Sequence, residues 1–63
     1  MKATKHGINK HGNRIAIATK NELFFVLIES ENQHQGKILK SWCLIKGRLN
    51  EAEAESIFDR RTV

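Results

Sequence analysis

Leu23-Phe24-Phe25-Val26-Leu27-Ile28 is a run of six apolar residues that decides the fold of this 63-residue chain. Strands with one solvated face alternate apolar and polar residues, so a run without alternation predicts a strand that is covered on both faces. A chain of this length makes one small domain and has little material with which to cover two faces. The mismatch predicts that the protein associates with a second copy or with another partner.

Two further strands are predicted on either side of this run. Ile15-Ala16-Ile17-Ala18-Thr19 is typical of a strand, and Lys20-Asn21 predicts the two-residue turn that joins it to the run. Residues 30–36 are polar and predict a loop, after which Lys37 to Lys46 predicts the third strand. This order favours an antiparallel meander of three strands.

The predicted turn divides the side chains of the first two strands between two apolar faces. On one face lie Ile15, Ile17, Phe24, Val26 and Ile28. On the other face, Ala16 and Ala18 leave a shallow trough beside Leu23, Phe25 and Leu27. A helix fits that trough, although both faces are apolar and the sequence alone does not decide which one it covers. The face left uncovered predicts a protein interface with the candidate residues Phe24, Val26 and Ile28.

A helix is predicted at the C-terminal end of the chain. Asn50 is a favourable N-cap, and Glu53 three residues later completes a capping box. Leu49 is placed to contact Ala54 across this cap. The sequence therefore predicts an α+β fold in which a three-stranded antiparallel β-meander is followed by one C-terminal α-helix.

Positive charge is concentrated at the start of the chain. The net charge is +4, and the first 20 residues carry five basic residues and no acid. Gly7, Gly12 and the lack of a hydrophobic pattern predict that residues 1–13 form a flexible basic arm, followed by a single domain at residues 14–63. Such segregation attracts a polyanion, although ordinary solubilising charge is the alternative interpretation.

Basic residues also alternate with an aromatic residue on the predicted third strand, where Lys40, Trp42 and Lys46 share a face. Lysine and arginine contacts to phosphate supply most non-specific affinity, and tryptophan stacks on unpaired bases. We therefore predict a nucleic-acid-binding surface, with DNA favoured over RNA. Its candidate residues are Lys5, Lys10, Arg14, Lys37, Lys40, Trp42, Lys46 and Arg48. The alternative is that Trp42 belongs to the core and the lysines extend from a partly buried edge.

Gly36-Lys37 opens the third strand and Leu49-Asn50-Glu51-Ala52-Glu53-Ala54 opens the helix, and in this order the chain resembles the arm-binding DNA domains of tyrosine-type integrases. Over residues 14–61 it is also similar in outline to plant ethylene-response-factor domains. The resemblance implies that the sheet lies against the DNA major groove with the helix behind it. The residues that this would place near DNA are Lys40, Trp42, Lys46 and Arg14. The chain departs from that layout in its apolar central strand.

Reactive side chains are few. Cys43 is the one candidate nucleophile, and a lone cysteine in a strand is typical of a packing residue. His6, His11 and His34 lack the close spacing of common metal sites. We therefore predict a protein that is not an enzyme and holds no metal or cofactor. A single cysteine fits a reducing cytoplasm, as in a bacterium or phage, and no apolar stretch approaches the ~20 residues of a membrane helix.

Two classes of function remain. The leading hypothesis is a small cytoplasmic regulatory protein that forms a homodimer and binds nucleic acid through its basic arm and third strand. The alternative is an interaction module or inhibitor of the phage or plasmid type, which docks on a protein through an apolar sheet face or a strand edge. An enzyme that uses Cys43 is the third and least supported hypothesis.

Overall fold

Four antiparallel strands and one helix make up the fold in a computed structural model that describes residues 1–62. In chain order the elements are β1 Lys2–Ile8, β2 Arg14–Lys20, β3 Leu23–His34, β4 Lys37–Leu49 and α1 Glu51–Arg61. The strands form a single sheet in the order β1-β2-β3-β4. The α+β class, the antiparallel meander and the C-terminal helix are confirmed. Val63, the last residue of the predicted domain, lies outside the described residues.

The prediction of three strands was wrong because most of the predicted arm, residues 1–13, forms β1 and its turn. The side chains of β1 are mostly exposed, so the segment lacks the apolar alternation that identifies a strand in a sequence. The backbone N–H and C=O groups on one side of β1 are hydrogen-bonded to β2, and this pairing orders the strand. Gly7 lies beneath the ring of Phe58, where a side chain of any size would clash.

The turn between β2 and β3 lies one residue later than predicted. Lys20 pairs with Leu23, so Asn21 and Glu22 are the loop residues, with φ angles of 52° and 66°. Two successive positive φ angles are those of the tight hairpin turn that matches the twist of the flanking strands. The pairing differs by two residues from the predicted one, and each side chain therefore stays on the sheet face that the sequence indicates.

β3 and β4 are longer than predicted and extend beyond the rest of the sheet as a two-stranded ribbon. The polar residues 30–34 continue β3 instead of forming a loop. Gln35 and Gly36, with φ angles of 51° and 78°, form the tight turn to β4. The pairing of β2 with β3 ends at Ile28, so the residues beyond it pair with β4 alone.

The helix covers one face of the sheet, and the core lies between them. The buried core cluster consists of Ile15, Ile17, Val26, Leu49, Ala54 and Phe58. Asn50 caps the helix as predicted: its Oδ1 accepts a hydrogen bond of 2.8 Å from the backbone nitrogen of Glu53, and the Glu53 carboxylate accepts one of 3.2 Å from the Asn50 nitrogen. Leu49 and Ala54, which are predicted to contact each other across this cap, both belong to the buried core cluster.

No described element covers the opposite side of the sheet, which we call the open face. Its apolar strand residues are Ala3, Ile8, Ala16, Ala18, Leu23, Phe25, Leu27, Ile38, Trp42 and Leu44. The predicted trough is present there, because Ala16 and Ala18 line a shallow depression together with Leu27 and Trp42. The helix does not occupy it, because α1 lies on the side of the larger isoleucines.

Candidate nucleic-acid interface

Basic side chains from three parts of the chain meet at the C-terminal end of α1. Two shallow depressions adjoin there, and Arg60 and Arg61 line both of them. Lys46 of β4 borders the first, whereas Lys10 and His11 of the β1–β2 turn border the second. None of the described residues that line these depressions has a carboxylate side chain. We call these five residues the basic surface.

A bulge in β4 places Lys46 in this surface. Leu44 pairs with Leu27 and Lys46 pairs with Val26, so β4 has one residue more than β3 in this interval. An extra residue of this kind changes the direction of the side chains that follow it. Lys46 therefore lines the helix side of the sheet with the two arginines, whereas Trp42 remains on the open face. The predicted grouping of these two residues on one face was wrong for this reason.

The β1–β2 turn is ordered by a single asparagine. Oδ1 of Asn9 accepts hydrogen bonds of 2.9 Å from the backbone nitrogens of His11 and Asn13. Gly12 adopts a φ angle of 82°, which favours glycine, and its nitrogen donates to the Asn9 carbonyl at 3.0 Å. The turn thereby holds Lys10 and His11 beside the end of the helix.

Two of the predicted nucleic-acid-binding lysines are held in ion pairs. Nζ of Lys5 lies 2.7 Å from Oε2 of Glu55 and 3.9 Å from Oδ1 of Asp59. The hydrogen bond to Glu55 raises the pKa of Lys5 above its ordinary value; desolvation opposes this rise, and the charges of Glu55 and Asp59 add to it. Nζ of Lys40 lies 3.6 Å from Oε1 of Glu31. No other lysine or arginine of the described chain lies within 4.0 Å of a carboxylate side chain.

The remaining predicted residues are dispersed over the molecule. Trp42 is 42% exposed on the open face, and Arg14 lies on the same face at the start of β2. Lys37 is the first residue of β4, at the tip of the ribbon. Arg48, near the end of β4, has a positive φ angle of 56°. Of the eight predicted residues, the structure brings together only Lys10 and Lys46 in the basic surface.

The predicted protein interface lies on the helix side of the sheet. Val26 is fully buried there, and Phe24 and Ile28 pack against the core. Val26 is therefore inaccessible to a partner while the helix is in place. The helix covers this face because the core isoleucines of β2 lie on it. The apolar surface that stays accessible is the open face.

Sequence reasoning did not include Arg60, Arg61 or His11 among the candidate residues. The arginines match the helix dipole at its C-terminal end, and this role alone accounts for their presence. One further signal was present in the sequence: Arg61 falls on the same helical stripe as Ala54 and Phe58. Because this stripe faces the sheet, Arg61 lies at the border of the core, close to the strands and turns that pack near the helix.

Cys43 is exposed beside Ser30, with 3.6 Å between Sγ and Oγ, so it is not the packing residue that its sequence position predicts. Within residues 1–62, no three histidine, cysteine, aspartate or glutamate side chains are grouped so that they would hold a metal ion. The one helix of this part of the chain lacks the length and apolar character needed to cross a membrane.

Comparisons of the chain with models of known protein families, with curated proteins and with solved structures find no match. The layout of the integrase arm-binding domains would direct the open face toward DNA. That face carries Arg14, Lys40 and Trp42, but its centre is apolar. The cations that the structure groups together lie on the other side of the sheet.

Proposed function

We propose that the protein binds nucleic acid through phosphate contacts made by the basic surface. One observation supports this most directly: Lys10, Lys46, Arg60 and Arg61 come from three separate elements and line adjoining depressions without a carboxylate side chain among the described lining residues. Like charges repel, and the helix dipole favours only the two arginines, so folding alone does not account for Lys10 and Lys46 lying beside them. Arginine in particular suits this role, because its planar group contacts phosphate through two hydrogen bonds.

The position of Trp42 defines the mode of binding. It lies on the open face, across the sheet from the basic surface, so it does not stack on a base that the basic surface holds. The contacts are therefore with the sugar-phosphate backbone, which carries no sequence information by itself. We expect binding to duplex DNA with low sequence specificity.

Salt dependence gives the proposal a quantitative form. Four cations that each neutralise one phosphate would give log K a slope of about −3.6 against log salt for duplex DNA. Affinity would then fall roughly a hundredfold between about 50 and about 200 mM salt. The anisotropy of a labelled, short, mixed-sequence duplex, titrated with protein at several salt concentrations, measures this slope.

A matched pair of double variants tests the location of the site. Arg60→Ala/Arg61→Ala removes two cations from the basic surface, so the slope is expected to become less steep by about 2. Lys2→Ala/Lys20→Ala removes the same net charge at the opposite end of β1 and β2 and is expected to keep the slope. Circular dichroism of each variant checks that it remains folded.

Equal losses in the two double variants would mean that net charge alone attracts the DNA, and the proposed surface would be wrong. The same conclusion follows if the wild-type protein shows no binding at low salt. A preference for single-stranded over duplex DNA would contradict backbone contact without stacking, since stacking on aromatic residues is what favours single strands.

A further inference from the structure

The open face is an exposed apolar surface that the proposed function does not use. Leu44 is 58% exposed, Trp42 42% and Leu23 40%, while Ala16 and Ala18 form the floor of the depression between β1 and β3. A contiguous apolar patch of this kind marks an interaction site in soluble proteins.

The two halves of the open face differ in side-chain size. β1 and β2 contribute small residues, with Ala3 beside Ala18, whereas β3 and β4 contribute large ones, with Leu27 beside Leu44. Consider a second copy turned over about an axis that runs along the strands between β2 and β3. β2 of each copy then lies across β3 of the other, and β1 lies across β4. The large half of each copy thus meets the trough of its partner.

The charges at one end of the face match in the same arrangement. Arg14 pairs with Ile8 and Glu29 pairs with Trp42, and the pairing of β2 with β3 places Arg14 level with Glu29. Turning the second copy over brings Arg14 of each copy opposite Glu29 of the other. It also brings Ile8, which is 56% exposed, opposite Trp42. Shape and charge therefore favour one and the same arrangement.

We propose that the open face is the interface of a homodimer whose two-fold axis runs along the strands between β2 and β3. At about 4.8 Å between strands and about 3.3 Å per residue, four strands of seven residues present roughly 450 Å² per copy. Two such faces bury about 900 Å² or more, which is typical of a weak and reversible association. The basic surface lies on the other side of the sheet and stays accessible in the dimer.

The first experiment measures the solution mass of the full chain over a range of concentrations by sedimentation equilibrium. The wild-type mass is expected to rise from one to two chains. Leu44→Glu introduces a charge into the interface, where β4 lies across β1 of the other copy, and is expected to keep the mass at one chain. Leu39→Glu is the matched control, because Leu39 is also exposed, at 52%, but lies on the opposite side of the same strand.

The second experiment uses the charge pair. Arg14→Glu gives a chain with acids at positions 14 and 29, and Glu29→Arg gives a chain with bases at both, so each variant repels itself across the proposed axis. A mixture of the two restores opposite charges at every contact. We expect each variant alone to be monomeric and an equimolar mixture to dimerise, which also shows that both chains are folded.

Several outcomes would overturn the proposal. If the wild-type chain stays monomeric at all concentrations, the homodimer is ruled out and the partner of the open face is a different protein. A dimer that Leu44→Glu does not disturb is joined elsewhere, for example along the free edges of β1 or β4. A mixture of the charge variants that fails to dimerise excludes the proposed axis. None of these outcomes affects DNA binding by the monomer, so the two proposals fail independently.

Discussion

The ring of Phe58 lies directly over the backbone of Gly7. A Cβ atom at position 7 would lie 2.7 Å from Cζ of that ring and 3.0 Å from the Cγ2 methyl of Thr62. Real Cβ atoms do not approach other heavy atoms so closely, so only glycine allows the helix to reach its observed position over β1. This contact joins the edge strand to the core and explains why an otherwise exposed segment is ordered.

We expect Gly7→Ala to destabilise the protein. In an ordinary strand this change stabilises by about 0.5–1 kcal/mol, whereas overpacking against Phe58 costs about 1–3 kcal/mol. The net expectation is a loss of roughly 1–2 kcal/mol in the free energy of unfolding, measured by urea titration. In a Phe58→Leu background the clash is absent, and the same change at position 7 is expected to be neutral or favourable. Equal effects in both backgrounds would contradict the proposed contact.

The contact also shows why sequence reasoning missed β1. A hydropathy pattern identifies strands by their buried side chains, and β1 buries few of them. The strand packs against the helix because Gly7 has no side chain and leaves room for the ring of Phe58. The central strand, the helix and its cap were predictable because their signals are local: an apolar run, and the Asn50 to Glu53 spacing. Backbone pairing along an edge leaves no such signal.

Other differences have equally specific causes. The turn was predicted at Lys20-Asn21, but the structure forms it from Asn21 and Glu22, both at the positive φ angles that this tight hairpin turn requires. The bulge that turns Lys46 away from Trp42 arises from a pairing between two strands, and neither strand alone encodes it. The basic surface joins a turn, a strand and a helix end, so its members share no sequence spacing.

A pH dependence of stability is expected from Lys5. Its ammonium lies 2.7 Å from Glu55 and 4.8 Å from the centroid of the Phe58 ring, and its pKa is raised above the ordinary 10.5. Below that value both the folded and the unfolded chain hold the proton, and the stabilisation is fully present. As the pH rises further, the unfolded chain loses the proton first, and the contribution disappears as the pH passes the folded-state pKa.

Thermal unfolding of Lys5→Met between about pH 9 and about pH 12 tests this expectation. Methionine keeps an apolar stem over the ring and removes the charge. The difference in Tm between wild type and this variant is expected to shrink as the pH rises, whereas Lys2→Met on the same strand is expected to run parallel to wild type. A difference that stays constant with pH would mean that the ion pair adds nothing to stability.

The capping box at Asn50 is expected to stabilise the whole domain, because the helix covers the core. Asn50→Ala removes the acceptor of the 2.8 Å hydrogen bond from Glu53 and is expected to lower the free energy of unfolding by about 1 kcal/mol. Asn50→Asp keeps an acceptor at the same position and is expected to stay within a few tenths of a kcal/mol of wild type. Urea titration measures both variants, and equal losses would show that the cap is not the cause.

The ribbon beyond Ile28 is expected to be the least stable part of the sheet. Residues 30–34 and 37–41 pair only with one another, and two strands without a third are marginally stable in water. Their amide hydrogens are expected to exchange at least about tenfold faster than those of Ile17 and Val26, as measured by nuclear magnetic resonance. Equal protection throughout β3 would show that a partner or a second copy covers the ribbon as well.

Trp42 reports on the open face without any label. It is the single tryptophan of the chain, it is 42% exposed, and the proposed dimer places it against Ile8 of the second copy. Burial removes water from an indole ring, so its emission maximum is expected to shift to shorter wavelength as the protein concentration rises. Acrylamide quenching is expected to weaken over the same range, and Leu44→Glu should abolish both changes while Leu39→Glu retains them. A rise in mass without any change at Trp42 would place the association away from the open face.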